Sequence, residues 1–421
     1  MTGPVCVVGS GGREHALARS LAGSADVVVT PGSPGMAGSR VTVTAAPPEE
    51  IDASLFVVGP EAPLVDGLAD RLRASGRLVC GPGADGAQLE GSKAFMKEML
   101  VAAGVPTARH GVFTSAEAAV AFLRSLPGPP WVVKTDGLAG GKGVLVARTR
   151  AEAEADVTAK LAGAFGAAGR RVVVEEGLTG PECSLQVLCD GARVAPLAPA
   201  RDHKRVGDGD TGPNTGGMGA FAPLPSVGPG MVDAIVATAV EPLVAALRHR
   251  GIDYRGILYA GLMLTPDGPR VLEYNVRFGD PEAQVVLGLL DEDPVEVLVA
   301  TAAGDLRPIV ARPGLAARDR VAVTVVLAVE GYPASPRTGD KVDGLGPDGQ
   351  LADPVDGVTV FHAGTRRDGG PGAPFLTAGG RVLDVTAVAA TLEEARRRAY
   401  AAAARITWPG AHLRHDIASR P

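Results

Sequence analysis

Short aliphatic runs alternate with amphipathic segments over the first hundred residues of the chain. The runs typical of buried strands are Val5–Val8, Val27–Val29, Leu55–Val58 and Leu78–Cys80. Helical patterns lie between them, and this alternation predicts βαβ units around a parallel sheet. Each run leads into a cluster of Gly, Pro or Ser residues. Because open α/β sheets bind ligands at the carboxyl ends of their strands, these clusters predict a small-molecule site.

The pattern changes after a helix predicted over Ser92–Ala103, which Gly104 and Pro106 bring to an end. A compact α+β unit follows, with a helix over Ala151–Phe165 and strands at Trp131–Lys134, Val144–Ala147 and Val172–Glu175. Beyond it we predict a helix over Met231–Arg248 and strands at Leu185–Leu188, Ile257–Leu264 and Val271–Asn275. The Gly/Pro/Asp-rich stretch from Asp202 to Gly219 is too long for an ordinary turn, so it is either functional or disordered.

A third α/β module begins at Ala322 and ends in a helix whose start, at Thr391, has the spacing of a capping box. The predicted fold class is therefore α/β and α+β, in several domains. The boundaries that we expect are 1–101, 102–321 with a small subdomain at about 122–187, and 322–421. A single large core is not expected for 421 residues.

Composition narrows the class of protein. The chain is 46% hydrophobic and 21% charged, which is typical of a globular protein, although it has 57 Gly and 34 Pro. It has 41 basic and 47 acidic residues and no run of Lys or Arg, so we expect no nucleic-acid partner. No apolar stretch approaching about 20 residues and no signal-peptide pattern is visible, which predicts a soluble, cytoplasmic protein without a membrane partner. The four cysteines have no CxxC spacing and are expected to be buried free thiols.

The first glycine-rich motif follows the first strand and runs from Gly9 to His15. A dinucleotide-binding fingerprint needs Gly or Ala where this chain has Glu14, and an acidic residue where it has Thr30 and Pro31. NAD binding is therefore disfavoured. A glycine-rich loop that opens a helix still suits a phosphate, with Arg13 for a second contact. The alternative is that these glycines only form a tight turn.

The second motif runs from Lys134 to Val144 and contains four glycines and two lysines. It is not a Walker A loop, because its glycine spacing is one residue short and Gly143 stands where Ser or Thr would be needed. It lies between two predicted strands, so it would cover a nucleotide's phosphates through backbone N–H groups and lysines. A purely structural hairpin is the alternative. The candidate phosphate-binding residues are Lys134, Gly137, Gly140, Gly141 and Lys142.

The third motif runs from Val271 to Glu282. On a strand, Glu273 and Asn275 point to the same face, and two oxygen ligands at that spacing make half a coordination shell for Mg²⁺ or Mn²⁺. Arg277 and an Asp-Pro-Glu turn follow directly. A solvated strand face with a surface salt bridge is the alternative.

Together these segments resemble the phosphoribosylamine–glycine ligase (glycinamide ribonucleotide synthetase) family, which are ATP-grasp enzymes of purine synthesis. The resemblance covers nearly the whole chain, through Gly9–Ala16, Val58–Leu64, Gln88–Phe95, Lys134–Gly143, Asp202–Gly207, Asp210–Gly219 and Glu273–Glu282. It implies an N-terminal domain for the phosphoribosyl substrate, an ATP-grasp core with a small lid and a C-terminal domain that closes one side. The implied reaction joins glycine to 5-phosphoribosylamine with ATP, through glycyl phosphate.

The resemblance also implies roles for particular residues. Arg277 and Lys142 would be catalytic, with Arg277 on the carboxylate that is phosphorylated. ATP would be held by the second motif and by Glu175, Glu176, Leu178 and Glu182, and the metal by Glu273 and Asn275. Phosphoribosylamine would contact Gly11, Gly12, Arg13, Glu14 and Glu61, and glycine would contact Asp202, Lys204 and Asp280. A second metal-binding acid, common in the ATP-grasp superfamily, is not visible on Leu258–Leu264.

Two other classes of protein are alternatives to this one. An NAD(P)-dependent oxidoreductase would use residues 1–100 alone and leaves the lysine-bearing loop unexplained. A nucleotide-sensing regulator on a retired ligase scaffold would be expected to have lost Glu273, Lys142 or Arg277, and all three are present. The expected partners are small molecules only, and the expected assembly is a monomer or a weak homodimer.

Overall fold

The computed structural model describes residues 3–138, 143–312, 314–317, 319–370 and 372–420. The N-terminal sheet has five parallel strands, as the alternating pattern predicted. In spatial order they are Val41–Val43, Val27–Pro31, Val5–Gly9, Leu55–Val58 and Leu78–Cys80. The sequence pattern missed Val41–Val43, an edge strand of only three residues.

The small sheet is antiparallel and has four strands. In spatial order they are His110–Phe113, Val172–Glu176, Trp131–Thr135 and Val144–Ala147. The edge strand His110–Phe113 carries no alternation of buried and exposed residues, which explains why the hydrophobic pattern did not predict it. The small sheet therefore begins before the lid range of 122–187 that we expected, and Glu182–Asp190 belongs to the next sheet.

The central sheet is also antiparallel. In spatial order its strands are Val194–Pro196, Glu182–Asp190, Arg255–Thr265 and Gly268–Asn275. Its last strand carries the third motif, and Glu273 lies opposite Gly261 on the neighbouring strand. The described part of the chain therefore brings the second and third motifs onto two different antiparallel sheets.

The C-terminal sheet combines segments that lie far apart in the sequence. In spatial order its strands are Arg201–Asp202, Gly219–Ala222, Val321–Ala328, Arg381–Ala389 and Val358–His362. The first two flank the Gly/Pro/Asp-rich stretch from Asp202 to Gly219, which the sequence analysis expected to be either functional or disordered. That stretch is ordered, and within it Arg205–Gly207 pairs with Thr211–Asn214. A second small hairpin pairs Thr365–Arg367 with Phe375–Thr377.

The helices pack against these four sheets. The α-helices are Gly12–Leu21, Glu61–Val65, Leu68–Ala74, Ala84–Gly91, Lys93–Ala102, Ala116–Ser125, Arg150–Ala159, Pro229–Ile235, Glu241–His249, Glu282–Val286, Pro294–Ala303, Arg307–Val310 and Leu392–Ala403. Short 3₁₀ turns occur at Pro34–Met36, Pro48–Glu50, Gly166–Arg170 and Leu287–Leu289, and π turns at Lys160–Ala164 and Val236–Val240.

Local chemistry explains several helix ends. The Ser92 hydroxyl accepts a hydrogen bond from the Phe95 backbone, and Thr391 caps the last helix in the same way, as predicted. The helix expected to reach Phe165 instead ends at Ala159 and continues as a π turn, because Gly163 adopts a φ of 104° that a regular helix cannot contain.

One apolar helical stretch is longer than any that the sequence analysis predicts. The segment Pro229–His249 has 21 residues and is long and apolar enough, by length and composition, to cross a membrane, so the expectation that no stretch approached this length was wrong. Core helices pass the same test. Here the side chains of Ile235, Val240, Leu243 and Leu247 are buried in the largest core cluster, against residues of the N-terminal and central sheets.

Candidate active site

A cavity of about 1060 Å³ lies between the small sheet and the central sheet, and residues of the N-terminal and C-terminal parts of the chain close it. It brings together most of the described residues that the sequence singled out. Those that line it are Arg13, Glu61, Lys134, Glu175, Glu176, Leu178, Glu182, Asp202, Lys204, Glu273, Asn275, Arg277 and Asp280. The predicted residues Gly140, Gly141 and Lys142 lie outside the described residues.

Two lysines share one buried carboxylate at the floor of the cavity. Glu175 Oε1 lies 3.1 Å from Lys134 Nζ and 3.1 Å from Lys97 Nζ. Burial alone would raise the pKa of Glu175, but the two ammonium groups outweigh it and hold that pKa below its usual value. Lys134 Nζ also donates to the Leu272 carbonyl at 3.0 Å, so this strand of the small sheet is tied to the central sheet.

Burial lowers the pKa of Lys97 to about 8, against the opposing influence of Glu175. Lys97 also donates to the Thr107 hydroxyl, at 2.8 Å. Nothing in the sequence singled out Lys97, which lies one helical turn after the cavity-lining Lys93 but does not itself line the cavity. Lys93 in turn donates to the Gly137 carbonyl at 3.4 Å, and Gly137 has a φ of 130° that favours glycine.

Glu273 and Asn275 face the cavity from one strand, as their spacing predicted. Burial would raise the pKa of Glu273, but Lys204, Lys134 and Lys93 hold it below its usual value, so the carboxylate is ionised at neutral pH. Across the described ranges, no hydrogen bond or ion pair engages this carboxylate, and no group of three or more His, Cys, Asp or Glu side chains has a metal-binding arrangement. Two free oxygen donors on one face fit a hard divalent cation that completes its shell with phosphate and water.

Arg277 lies between two carboxylates in the wall of the cavity. Its Nη2 donates to Glu90 Oε1 at 2.6 Å, and its Nε lies 3.5 Å from Glu61 Oε2. Burial would lower the pKa of Arg277, but Glu90 and Glu61 outweigh it and raise that pKa. Burial raises the pKa of Glu90 itself. Glu90 lies in Gln88–Phe95, one of the motifs of the resemblance, but the sequence analysis assigned no role to Glu90.

The glycine-rich loop is held from within. Gly11 N donates to Glu14 Oε2 at 2.6 Å, and Arg13 Nε donates to Glu14 Oε1 at 2.5 Å. Glu14 is 2% exposed and does not line the cavity, whereas Arg13 does. A Cβ atom added at Gly59 would lie 1.9 Å from Glu14 Oε1, so the carboxylate fills the space between two glycine turns. In this arrangement Glu14 shapes the loop that presents Arg13.

The residues expected around glycine form two ion pairs. Lys204 Nζ donates to Glu182 Oε2 at 2.9 Å, so a predicted glycine contact is paired with a predicted ATP contact. Asp280 Oδ2 accepts from Arg381 Nη2 at 2.8 Å, and Arg381 comes from the C-terminal sheet. Burial would raise the pKa of Asp280, but Arg381 holds it below its usual value.

Asp202 differs from its neighbours because, among the described residues, no charged partner lies at hydrogen-bond distance from it. Its buried Oδ1 makes no hydrogen bond within the described residues. Burial and the nearby Glu282 carboxylate raise the pKa of Asp202 well above its usual value. Glu282 Oε1 accepts from the Tyr259 hydroxyl at 2.9 Å, and both residues line the cavity. Sequence reasoning missed Tyr259 and gave Glu282 no role.

The four cysteines are buried and free, which confirms the prediction made from their spacing. Burial raises the pKa of Cys6, Cys80, Cys183 and Cys189 to about 12. At neutral pH these thiols are therefore protonated and weakly nucleophilic, so the chemistry of the cavity does not depend on them.

Two antiparallel sheets that enclose a nucleotide-sized cavity, with lysines on one wall and a Glu/Asn pair on the other, define the ATP-grasp class. The same fold occurs in the biotin carboxylase domain of 2-oxoglutarate carboxylase from Hydrogenobacter thermophilus, solved with magnesium ADP and bicarbonate. That likeness has a TM-score of 0.73 at 18% identity and covers 98% of this chain and 92% of that one.

The chain belongs to the phosphoribosylglycinamide synthetase family. Residues 4–90 match its N domain, 91–283 its ATP-grasp (A) domain and 322–420 its C domain. Phosphoribosylamine–glycine ligase from Streptomyces coelicolor is 48% identical, over 99% of each chain, and the ligase from Brucella melitensis is 46% identical, over 99% of this chain and 97% of its own. The crystal structure of the Thermotoga maritima ligase has a TM-score of 0.83 at 34% identity, covering 98% of this chain and all of that one.

Proposed function

We propose that this cavity joins glycine to 5-phosphoribosylamine in an ATP-dependent reaction that gives glycinamide ribonucleotide, ADP and phosphate. The chain is a ligase of purine biosynthesis, as its family and its full-length relatives indicate. The observation that carries the proposal is that one cavity brings together lysine and arginine side chains, the Glu273 and Asn275 oxygens and further acidic side chains.

The reaction requires activation because a carboxylate does not react with an amine at neutral pH. The γ-phosphoryl group passes to a glycine carboxylate oxygen, which releases ADP and forms glycyl phosphate. The nitrogen of phosphoribosylamine then attacks the acyl carbon, phosphate leaves and the nitrogen loses a proton. Such phosphoryl transfers depend mainly on positioning and charge stabilisation, which the residues of this cavity can provide.

ATP would lie between the two antiparallel sheets. The apolar side chains of Met96, Val132, Val146, Met263 and Leu272 line that part of the cavity and suit an adenine ring. Backbone groups from Glu175 to Leu178 would bind the edge of the ring, and Glu182 would accept from the ribose hydroxyls. Lys134 would bind phosphate oxygens from the floor of the cavity, and we propose that Gly140, Gly141 and Lys142, as their motif implies, also bind the phosphates.

Glu273 and Asn275 would hold Mg²⁺ or Mn²⁺, since their oxygens are free and face the cavity. When bound, the metal neutralises charge on the phosphates during transfer. The surrounding lysines keep Glu273 ionised, so this residue supplies a full negative charge for the cation.

Arg277 would bind the carboxylate that is phosphorylated. Its Nε is buried without a hydrogen-bond partner among the described residues, and its Nη2 is held by Glu90. Arg277 lines the cavity, so its guanidinium can face a substrate carboxylate while Glu90 holds Nη2 and Glu61 lies 3.5 Å from Nε. Asp202, Lys204 and Asp280 would surround the rest of glycine, where the acidic groups suit its ammonium group.

Phosphoribosylamine would bind on the N-terminal side of the cavity. Arg13 and the N–H group of Gly12 would hold its 5′-phosphate, and Glu61 would contact its ribose. The N–H group of Gly11 already donates to Glu14, so Gly11 would shape the loop beside the phosphate. Glu14 would act through the shape of this loop. We further propose a cytoplasmic location, a monomer or weak homodimer, and the domain boundaries 1–101, 102–321 and 322–421.

The test is ADP release measured with ATP, Mg²⁺, glycine and freshly prepared phosphoribosylamine, with each omitted in turn. We expect turnover only when all are present, and formation of glycinamide ribonucleotide in step with ADP. Turnover that is unaffected by omitting glycine would contradict the assignment.

A further inference from the structure

One strand of the C-terminal sheet, Arg381–Ala389, brings two charged side chains to the cavity region from about a hundred residues beyond the last motif. Arg381 is its first residue and lines the cavity. Asp384 follows three residues later and is 1% exposed. The sequence gave no signal for either, and the mechanism above uses neither.

Arg381 joins two loops that both belong to the ATP-grasp region. Its Nη1 donates to the Gly216 carbonyl at 2.6 Å and to the Asp280 carbonyl at 2.8 Å, while its Nη2 donates to Asp280 Oδ2 at 2.8 Å. The Arg381 side chain is 19% exposed and the Asp280 side chain 13% exposed. A planar guanidinium makes these bonds at once and so fixes both loops relative to each other.

Asp384 extends the same network to the N-terminal loop. The Gln284 amide donates to Asp280 Oδ1 and to Asp384 Oδ2, each at 2.8 Å. A Cβ atom added at Gly12 would lie only 1.8 Å from Asp384 Oδ2, so that carboxyl group packs directly against the glycine-rich loop. The network therefore connects residues of the N, A and C domains of the family.

We propose that Arg381 and Asp384 are positioning residues that couple two substrate sites, Arg381 by holding Asp280 at the glycine site and Asp384 by supporting Gly12 at the phosphoribosylamine site. This inference rests on the proposed function. It assigns to the C-terminal domain a part in substrate binding beyond closing one side of the cavity.

The geometry separates this role from simple stabilisation. Arg381 is bonded to the loops that form the cavity wall and lines the cavity itself, rather than lying within a hydrophobic core. The Asp384 Oδ1 atom is buried and has no hydrogen-bond partner within the described residues, so the network is not fully satisfied. Burying Oδ1 without a partner is unfavourable. The other oxygen, Oδ2, lies against Gly12, so packing alone gives no reason for a carboxyl group at this position.

The test compares KM values for the three substrates and kcat in the full-length enzyme. We expect Arg381→Met to raise the KM for glycine by about tenfold or more, because it removes a charged partner of Asp280, and to change the KM for ATP by less than about twofold. Arg381→Lys keeps the positive charge but not the planar set of N–H donors, and we expect it to recover only part of the lost affinity for glycine. Arg405→Met, which breaks an exposed ion pair to Asp353 in the same domain, is the matched control and is expected to change none of them.

Asp384 is tested with a pair of variants. Asp384→Ala removes the support of Gly12 and is expected to raise the KM for phosphoribosylamine by roughly tenfold, whereas Asp384→Asn still accepts from Gln284 and restores most of the affinity. Thermal unfolding of each variant is measured in parallel.

The outcomes distinguish failure of this inference from failure of the proposed function. Equal changes in all three KM values, together with a lower unfolding temperature, would reveal a merely structural role and overturn this inference. Unchanged KM values for glycine and phosphoribosylamine in an active enzyme would overturn it as well. Absence of glycine-dependent ADP release in the unaltered enzyme would instead overturn the proposed function and, with it, the substrate sites named here.

Discussion

In the buried cluster of Lys97, Glu175 and Lys134, we expect Glu175→Gln to lower the free energy of unfolding by more than Lys97→Met does. Two ammonium groups share one carboxylate, so the cluster has a net charge of +1. Glu175→Gln leaves two buried cations facing a neutral amide. Lys97→Met leaves one carboxylate facing one cation and places a methionine in the space of the lysine stem.

The magnitudes follow from the burial of the three side chains, which are 1% exposed for Lys97, 2% for Glu175 and 7% for Lys134. Removing the one partner of buried charges costs about 3–5 kcal/mol, and we expect that loss for Glu175→Gln. Lys97→Met removes a charge that was costly to desolvate and loses the bond to Thr107, so a loss below about 2 kcal/mol is expected.

Urea unfolding at neutral pH, followed by circular dichroism, gives the two free energies, provided that the denaturant dependence is the same in each variant. Lys341→Met serves as the control, because its ion pair with Asp343 is exposed and is worth less than about 1 kcal/mol. A loss for Lys97→Met that equals or exceeds that of Glu175→Gln would refute the reasoning, since it would mean that Glu175 does not hold the cluster together.

Three further predictions concern pH, backbone space and metal. Burial, reinforced by Asp280, raises the pKa of Asp384 to about 7, so its ionisation in the folded state is unfavourable and the free energy of unfolding should fall as pH rises from about 4 to 7. Urea unfolding across this range should show Asp384→Asn becoming more stable relative to the unaltered enzyme as pH rises. A constant difference in unfolding free energy between the two proteins would contradict this. Gly12→Ala should raise the KM for phosphoribosylamine because its Cβ would displace Asp384, whereas Gly230→Ala, with no atom within 4 Å, should be neutral or slightly stabilising in thermal unfolding. Glu273→Gln should raise the Mg²⁺ concentration for half-maximal ADP release at least tenfold, because an amide oxygen supplies no charge to the cation, and an unaltered Mg²⁺ dependence would rule out its role as a ligand.

The core strands were predictable because their signal is local. The runs Val5–Val8, Leu55–Val58 and Val172–Val174 are continuously apolar, and the structure places strands at Val5–Gly9, Leu55–Val58 and Val172–Glu176. His110–Phe113 was missed because it is a half-exposed edge strand without alternation, and its pairing with Val172–Glu175 depends on a partner some sixty residues away.

The residues of the candidate site also include some that the sequence predicts and others that it does not. Residues inside motifs, such as Glu273, Asn275 and Arg277, could be selected from their spacing, and the structure places all three on the cavity wall. Lys97 and Arg381 could not be selected in this way, because an isolated Lys on a helix or an Arg at the start of a strand looks like an ordinary surface residue in the sequence. Only the packing of the helix Lys93–Ala102 and of the C-terminal sheet brings them to Glu175 and Asp280.

The sequence by itself determined the alternation of strands and helices, the glycine loops and the chemistry of the three motifs, because hydrophobic period and turn composition act over a few residues. The tertiary structure alone decided which charges pair with which. It joined Arg201–Asp202 and Gly219–Ala222 to the C-terminal sheet, and it placed Arg381 and Asp384 beside the substrate loops. The physical reason is that charge pairing and pKa depend on burial and on atoms a few ångströms away, which a linear pattern does not specify.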